Sequence, residues 1–151
     1  MTPLPWRRDR HGLPPLAECP KVADLPEPKL SAGARYLGTE LASDATARVA
    51  DHGLGGAGSC RLNLSAEALD VVRLAGAFRI PAASVRGAVG HRSDSPQAHR
   101  FAVRWQHGEH HLTTRFELSP VKPAAGSTKK TADRGAQPWV RALSKIAKEN
   151  A

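Results

Sequence analysis

At 151 residues, 40% of them hydrophobic, the chain has room for one ordinary domain with its own core and not for two. A formal net charge of +8 favours anionic partners, but the arginines are scattered singly along the expected strands and form no long basic run. Two unlike cysteines, Cys19 and Cys60, give neither a disulfide framework nor a zinc site, and no apolar stretch is long enough to span a bilayer or serve as a signal peptide.

Seven of the twelve prolines fall within residues 1–30, including Pro14-Pro15, Pro26 and Pro28. That composition predicts a disordered, basic, proline-rich leader, because it offers little apolar surface to offset its ordering entropy. The domain is then expected over residues 31–151. Arg35–Leu41 reads as a first strand, 45–50 as a weaker second element in which helix is an alternative, and 52–58 as a glycine-dense connection. From Ser59 the alternation is clearer. Leu62 and Leu64 alternate with Arg61 and Asn63, Leu69–Arg73 returns, Ala77–Ile80 ends at Pro81, and Val85–His91 follows.

Residues 92–98 form a polar loop. Beyond it, Phe101, Val103 and Trp105 alternate with Ala102, Arg104 and Gln106, and the return strand carries Leu112, Thr114, Phe116 and Leu118. His107-Gly108-Glu109 is the hairpin loop, in which Gly108 supplies a positive φ. A polar connection covers 119–136, after which the period changes from two to 3.6. Pro138 suits a helix's first turn, Trp139, Val140, Leu143, Ile146 and Ala147 share one stripe, and Arg141, Ser144, Lys145 and Lys148 lie opposite. So short a helix needs an apolar dock. Many short strands followed by one amphipathic helix is the order of a pleckstrin-homology-like (PH-like) fold. The expectation is mainly β: a seven-stranded curled sheet or barrel capped by one C-terminal α-helix.

Chemistry is hard to find. His107, His110 and His111 cluster with Glu109 at the hairpin, yet residues 110 and 111 of a strand point to opposite sides, so they read as exposed histidines rather than metal ligands. No Gly-x-Ser-x-Gly elbow accompanies the serines, and Cys60 beside Ser59 reads as a partly buried small side chain. Gly53–Gly58 lacks the Lys-Ser/Thr of a phosphate loop. No catalytic residue, cofactor or metal is expected, and the chain reads as a non-enzymatic binding domain. Trp105 and Trp139 read as core.

The text Tyr36-Leu37-Gly38-Thr39, His52-Gly53-Leu54-Gly55, Leu69-Asp70-Val71-Val72-Arg73, Phe78-Arg79-Ile80-Pro81-Ala82, Val103-Arg104-Trp105, Leu112-Thr113-Thr114-Arg115-Phe116 and Pro138-Trp139-Val140-Arg141-Ala142-Leu143 resembles a family of bacterial PH-like proteins. The resemblance covers roughly 34–147. These proteins occur in high-GC bacteria, often beside pyrimidine-biosynthesis genes. It implies an N-terminal membrane-spanning helix, a basic stretch similar to Trp6-Arg7-Arg8-Asp9-Arg10, a proline-rich linker and then the domain. The spanning helix is not in this sequence, so membrane association through it is an expectation of the resemblance alone.

The partner expected is a protein taken up by an interaction or scaffold domain in the cytoplasm or at the inner face of the membrane. An anionic membrane surface and nucleic acid are the alternatives, although Asp44 in the candidate headgroup loop and an aromatic content of 5% weigh against them. The candidate contact surface comprises Arg35, Arg48, Arg61, Arg86, Arg92, His107 and His110, with 92–98 and the hairpin tip as exposed edges.

Overall fold

The computed structural model describes residues 11–92, 94–119 and 135–151. Eight strands are present: β1 (Leu30–Leu41), β2 (Asp44–Arg48), β3 (Gly58–Leu64), β4 (Ala68–Arg73), β5 (Phe78–Pro81), β6 (Val85–Gly90), β7 (Arg100–His107) and β8 (His110–Leu118). One α-helix among the described residues, α1 (Gln137–Glu149), follows. All pairings are antiparallel in the order β5-β4-β3-β1-β8-β7-β6, with β2 paired to β1. The expected curled, helix-capped sheet is therefore present. It has eight strands rather than seven, because the weak second element is a strand, and it is open between β5 and β6 rather than a closed barrel. β1 also begins five residues earlier than read, where the small residues Ala32 and Ala34 pair with Leu62 and Cys60 of β3.

Alternation places one set of side chains inside the curl. Phe101, Val103 and Trp105 stand opposite Phe116, Thr114 and Leu112 in the β7–β8 hairpin. A line of rings crosses the interior: Trp139 to Phe101 (5.9 Å), Phe101 to Phe116 (5.5 Å), Phe116 to Tyr36 (6.0 Å) and Tyr36 to Phe78 (6.0 Å). These contacts tie α1, β7, β8, β1 and β5 into one core.

A polar chain threads the same core. Trp105 Nε1–H donates to Thr114 Oγ1 (2.9 Å), and Tyr36 Oη donates to the Leu54 carbonyl (2.7 Å). Each hydroxyl has one proton, so the two bonds between these ends, Thr114 to Thr39 (2.8 Å) and Thr39 to Tyr36 (2.7 Å), run in a single direction. Burial pushes the Tyr36 phenol up to about 12, which keeps it a donor. Thr114→Val preserves shape but strands the Trp105 N–H; it is expected to cost about 1–3 kcal/mol in urea unfolding.

Both ends of the sheet are covered. α1 lies along β6: Gln137 Nε2 donates to His91 O (2.9 Å) and Asn150 Nδ2 to Ala82 O (2.7 Å) and Val85 O (2.9 Å). The lengths match, since thirteen helical residues and six extended ones each span about 20 Å. The approach at Gly90 is close enough that a Cβ there would sit 2.8 Å from Val140 Cγ2. Trp139 and Leu143 are buried, with Val140, Ile146 and Ala147 half-buried against the core.

At the other end, Arg79 N–H of β5 donates to Ala17 O (3.2 Å). Ala17, Pro26 and Lys29, expected in a disordered leader, thus bond to the sheet. Their fixation is mostly through main-chain bonds. Asn63 Nδ2 donates to Pro26 O and Lys29 N–H to Leu64 O. Residues 1–10, including the basic stretch at Trp6–Arg10, and 120–134 of the polar connection lie outside the described residues.

Candidate functional site

The most elaborate side-chain constellation gathers around residues 11–15. Gly12 has φ +68°, a conformation open to glycine, and it turns Leu13 inward, where that side chain is 5% exposed and belongs to the core. Pro14-Pro15 continues the segment, and a proline biases the residue before it toward extended backbone. Facing it are the 3-10 turn Asp51–Gly53 and the β7–β8 hairpin, whose Gly108 has φ +59°. His52 is the one non-glycine residue with positive φ (54°) among the described residues. That backbone strain is affordable because the ring so placed reaches the segment.

The bonds are specific. Asp51 accepts the His11 N–H on Oδ1 (2.7 Å) and the Leu13 N–H on Oδ2 (3.0 Å). His52 Nε2 donates to Leu13 O (2.7 Å), His107 Nε2 to Pro14 O (2.9 Å) and Pro15 O (3.1 Å), and His110 Nε2 to His11 O (3.0 Å). The His11 ring in turn donates from Nε2 to Arg48 O (3.0 Å). A carbonyl only accepts, so every one of these imidazoles carries its proton on Nε2. The Nδ1 of His110 is buried and has no partner among the described residues. No group of three or more His, Cys, Asp or Glu is placed to hold a metal ion among the described residues.

Just past Pro15 the fit loosens. An open recess of about 380 Å³ lies between Leu16, Ala17 and Glu18 on one side and His52, Arg73, Gly76 and Phe78 on the other. Arg73 is buried and donates to the carbonyls of Gly76 (2.9 Å), Gly53 (3.2 Å) and Gly56 (3.4 Å), while its guanidinium lies over the Tyr36 and Phe78 rings at 4.7 and 5.3 Å. It thereby fixes the glycine-dense connection that carries His52. No carboxylate pairs with Arg73 among the described residues.

Burial acts to raise the Asp51 carboxyl, but the N–H donors of Leu13 and His11 outweigh it and hold the group below its ordinary value of 3.8. A depressed folded-state value means that the stabilisation is complete above 3.8 and is lost as pH falls through the lower folded value. The two Asp51 bonds are therefore expected to persist at pH 5 and to loosen only below about pH 4, read from amide exchange at His11 and Leu13.

A family model described as bacterial PH domain-like matches residues 13–130. The chain belongs to this family. No curated protein matches it. The match begins at Leu13, so Leu13, Pro14 and Pro15 of the held segment fall within it, while His11 and Gly12 lie just before it. α1, beyond the match, completes the fold that the family implies. No helix among the described residues of this PH-like domain is long and apolar enough to cross a membrane.

Of the candidate contact residues, the PH-like fold brings together His107, His110 and Arg48, all around residues 11–15. The two histidines are half-buried against the segment rather than exposed, while His111 is exposed on the other side of β8. Arg35 lies on the outer face of β1 opposite Glu117, and Arg61 on β3 donates to Ser31 Oγ (3.1 Å). Arg86 donates to Ala83 O (2.7 Å) at the start of β6, and Arg92 pairs with Asp94 (3.3 Å) beyond its end. Arg35 and Arg61 share the outer face of β1–β3, whereas Arg86 and Arg92 sit at opposite ends of β6, so the four form no single cluster. Leu13, Asp51, His52 and Arg73, absent from the sequence reading of the site, supply its anchor pocket and most of its geometry.

Proposed function

We propose that this PH-like domain is a non-enzymatic protein-interaction module, and that the end of the sheet bearing Asp51, His52, His107 and His110 is its contact surface. One observation carries the reading: this end grips main chain, accepting two N–H groups and donating to four carbonyls of one short segment. Recognition of main chain with one apolar anchor is a recurring way for a domain to take a peptide. Surface arginines that form no single cluster do not favour a headgroup or nucleic-acid site.

The test compares the full chain with its Asp51→Ala variant as bait in native lysate, alongside anionic liposomes and a DNA oligonucleotide. The expected result is a protein retained by the wild type in moderate salt and lost with Asp51→Ala. Retention of liposomes or oligonucleotide alone, falling steeply with salt, would contradict it.

A further inference from the structure

We infer that the ligand of this site is a Gly-Leu-Pro-Pro segment followed by an acidic residue, and that residues 11–18 of the chain occupy the site as its built-in competitor. This rests on the interaction reading above and names the partner's chemistry.

The site's polar groups match that sequence position by position. Asp51, an acceptor, stands where the segment offers the N–H groups of His11 and Leu13. At Pro14 and Pro15, which have no N–H, the site presents only a donor, the His107 ring. A left-handed residue is needed at Gly12, and one apolar side chain is taken up at Leu13. Two successive prolines hold the backbone extended before binding and reduce the entropy lost on capture. Nothing else in residues 11–15 is read through its side chain except His11, whose ring bonds back to Arg48 O. The grip is therefore transferable to another chain with the same pattern.

The resident segment also fits incompletely. It leaves the recess of about 380 Å³ open in front of Arg73, a buried cation that carbonyls and ring faces satisfy among the described residues. Glu18 lines that recess but is exposed and makes no ion pair with Arg73 among the described residues. A partner whose carboxylate enters the recess gains an interaction that the resident segment forgoes, and so can displace it. Until displaced, the resident segment lowers the apparent affinity for any external ligand by the fraction of time the site is vacant.

Fluorescence anisotropy with a labelled peptide of residues 11–18, His-Gly-Leu-Pro-Pro-Leu-Ala-Glu, tests this on the full chain. Leu13→Asp, which ejects the resident anchor, is expected to bind the peptide at least tenfold more tightly than wild type. Adding Asp51→Ala to that variant is expected to weaken binding at least tenfold through loss of two charge-assisted bonds. A peptide with alanine in place of its glycine is expected to bind about fivefold more weakly or worse, the penalty of a left-handed alanine. Gly12→Val strains the resident segment without touching the core, since no atom lies within 4 Å of a Cβ there, and serves if Leu13→Asp is unfolded by circular dichroism. A folded variant of either kind that binds no tighter than wild type, or binding indifferent to Asp51→Ala, overturns the inference. If Asp51-dependent protein capture persists in that event, the ligand class alone is wrong; if capture fails too, the interaction reading falls with it.

Discussion

Replacing Trp139 with alanine is expected to lower stability by about 3–5 kcal/mol and Tm by roughly 10 °C. Trp139 is buried and stacks on Phe101 at 5.9 Å, the first link in the ring line that continues through Phe116 and Tyr36 to Phe78. Truncation removes that stacking and opens a cavity between α1 and the sheet. A helix of 13 residues is marginal without its dock, so α1 frays as the contact is lost. Its departure uncovers β6, whose free-edge groups at Val85 and the neighbouring His91 are capped by Asn150 and Gln137. An uncovered edge templates pairing between chains. Thermal unfolding followed by circular dichroism and size-exclusion chromatography should show a lower Tm together with association. Lys145→Ala, on the exposed side of the same helix, is expected to stay within about 0.5 kcal/mol of wild type. A Trp139→Ala protein as stable and monomeric as wild type would mean that the helix does not seal the sheet.

The second large effect lies on the outer face of β3–β5. Asn63, Asp70 and Arg79 stand opposite one another across these three strands. Alternation alone would leave Asp70 in solvent, but it is 0% exposed, because residues 17–26 cross this face. Asp70 takes both arms of Arg79, Nε at 2.7 Å and Nη2 at 3.1 Å, and this bonding raises the already high Arg79 pKa further. Asp70→Ala removes both short bonds to the guanidinium beneath the covering segment and leaves it the longer contact to the exposed Glu67 (3.7 Å). The expected loss is about 2–4 kcal/mol, less than for a fully buried ion because the Arg79 side chain is 18% exposed. The double change Asp70→Leu with Arg79→Leu is expected to recover most of it, since no unpaired charge remains buried and the Glu67 partner is exposed. Cys19 gives an independent readout. Burial first, and then Asp70, pushes its thiol up to about 11, so loosening the cover by Asp70→Ala is expected to speed its reaction with a thiol reagent.

The parts of the fold that were legible in the sequence are those where one face of a local element meets the core. The β7–β8 hairpin alternates through Phe101, Val103 and Trp105 and again through Leu112, Thr114, Phe116 and Leu118, and the stripe of α1 repeats every three to four residues; each is encoded within one short stretch of chain. The docking of residues 11–29 is encoded differently. It depends on main-chain bonds to Asp51, His107 and His110, which are 38 to 99 residues away. Such bonds leave no periodic trace, and the prolines that preorganise the segment look the same in a linker. Asp51 and His52 were hidden for a related reason. They sit in a glycine-dense connection where turn chemistry dominates the pattern, and only the observed φ of 54° at His52 marks strain at a working residue. The outer-face burial of Asp70 follows from the same hidden docking.

The most direct measurement is amide hydrogen exchange at His11 and Leu13 in the intact chain near neutral pH, with Asp51→Ala as comparison. Both amides should exchange slowly in the wild type and rapidly in the variant, while amides in the β7–β8 hairpin stay protected in both. Exchange at the rate of an unstructured peptide in the wild type would contradict the claim that this end of the domain grips main chain.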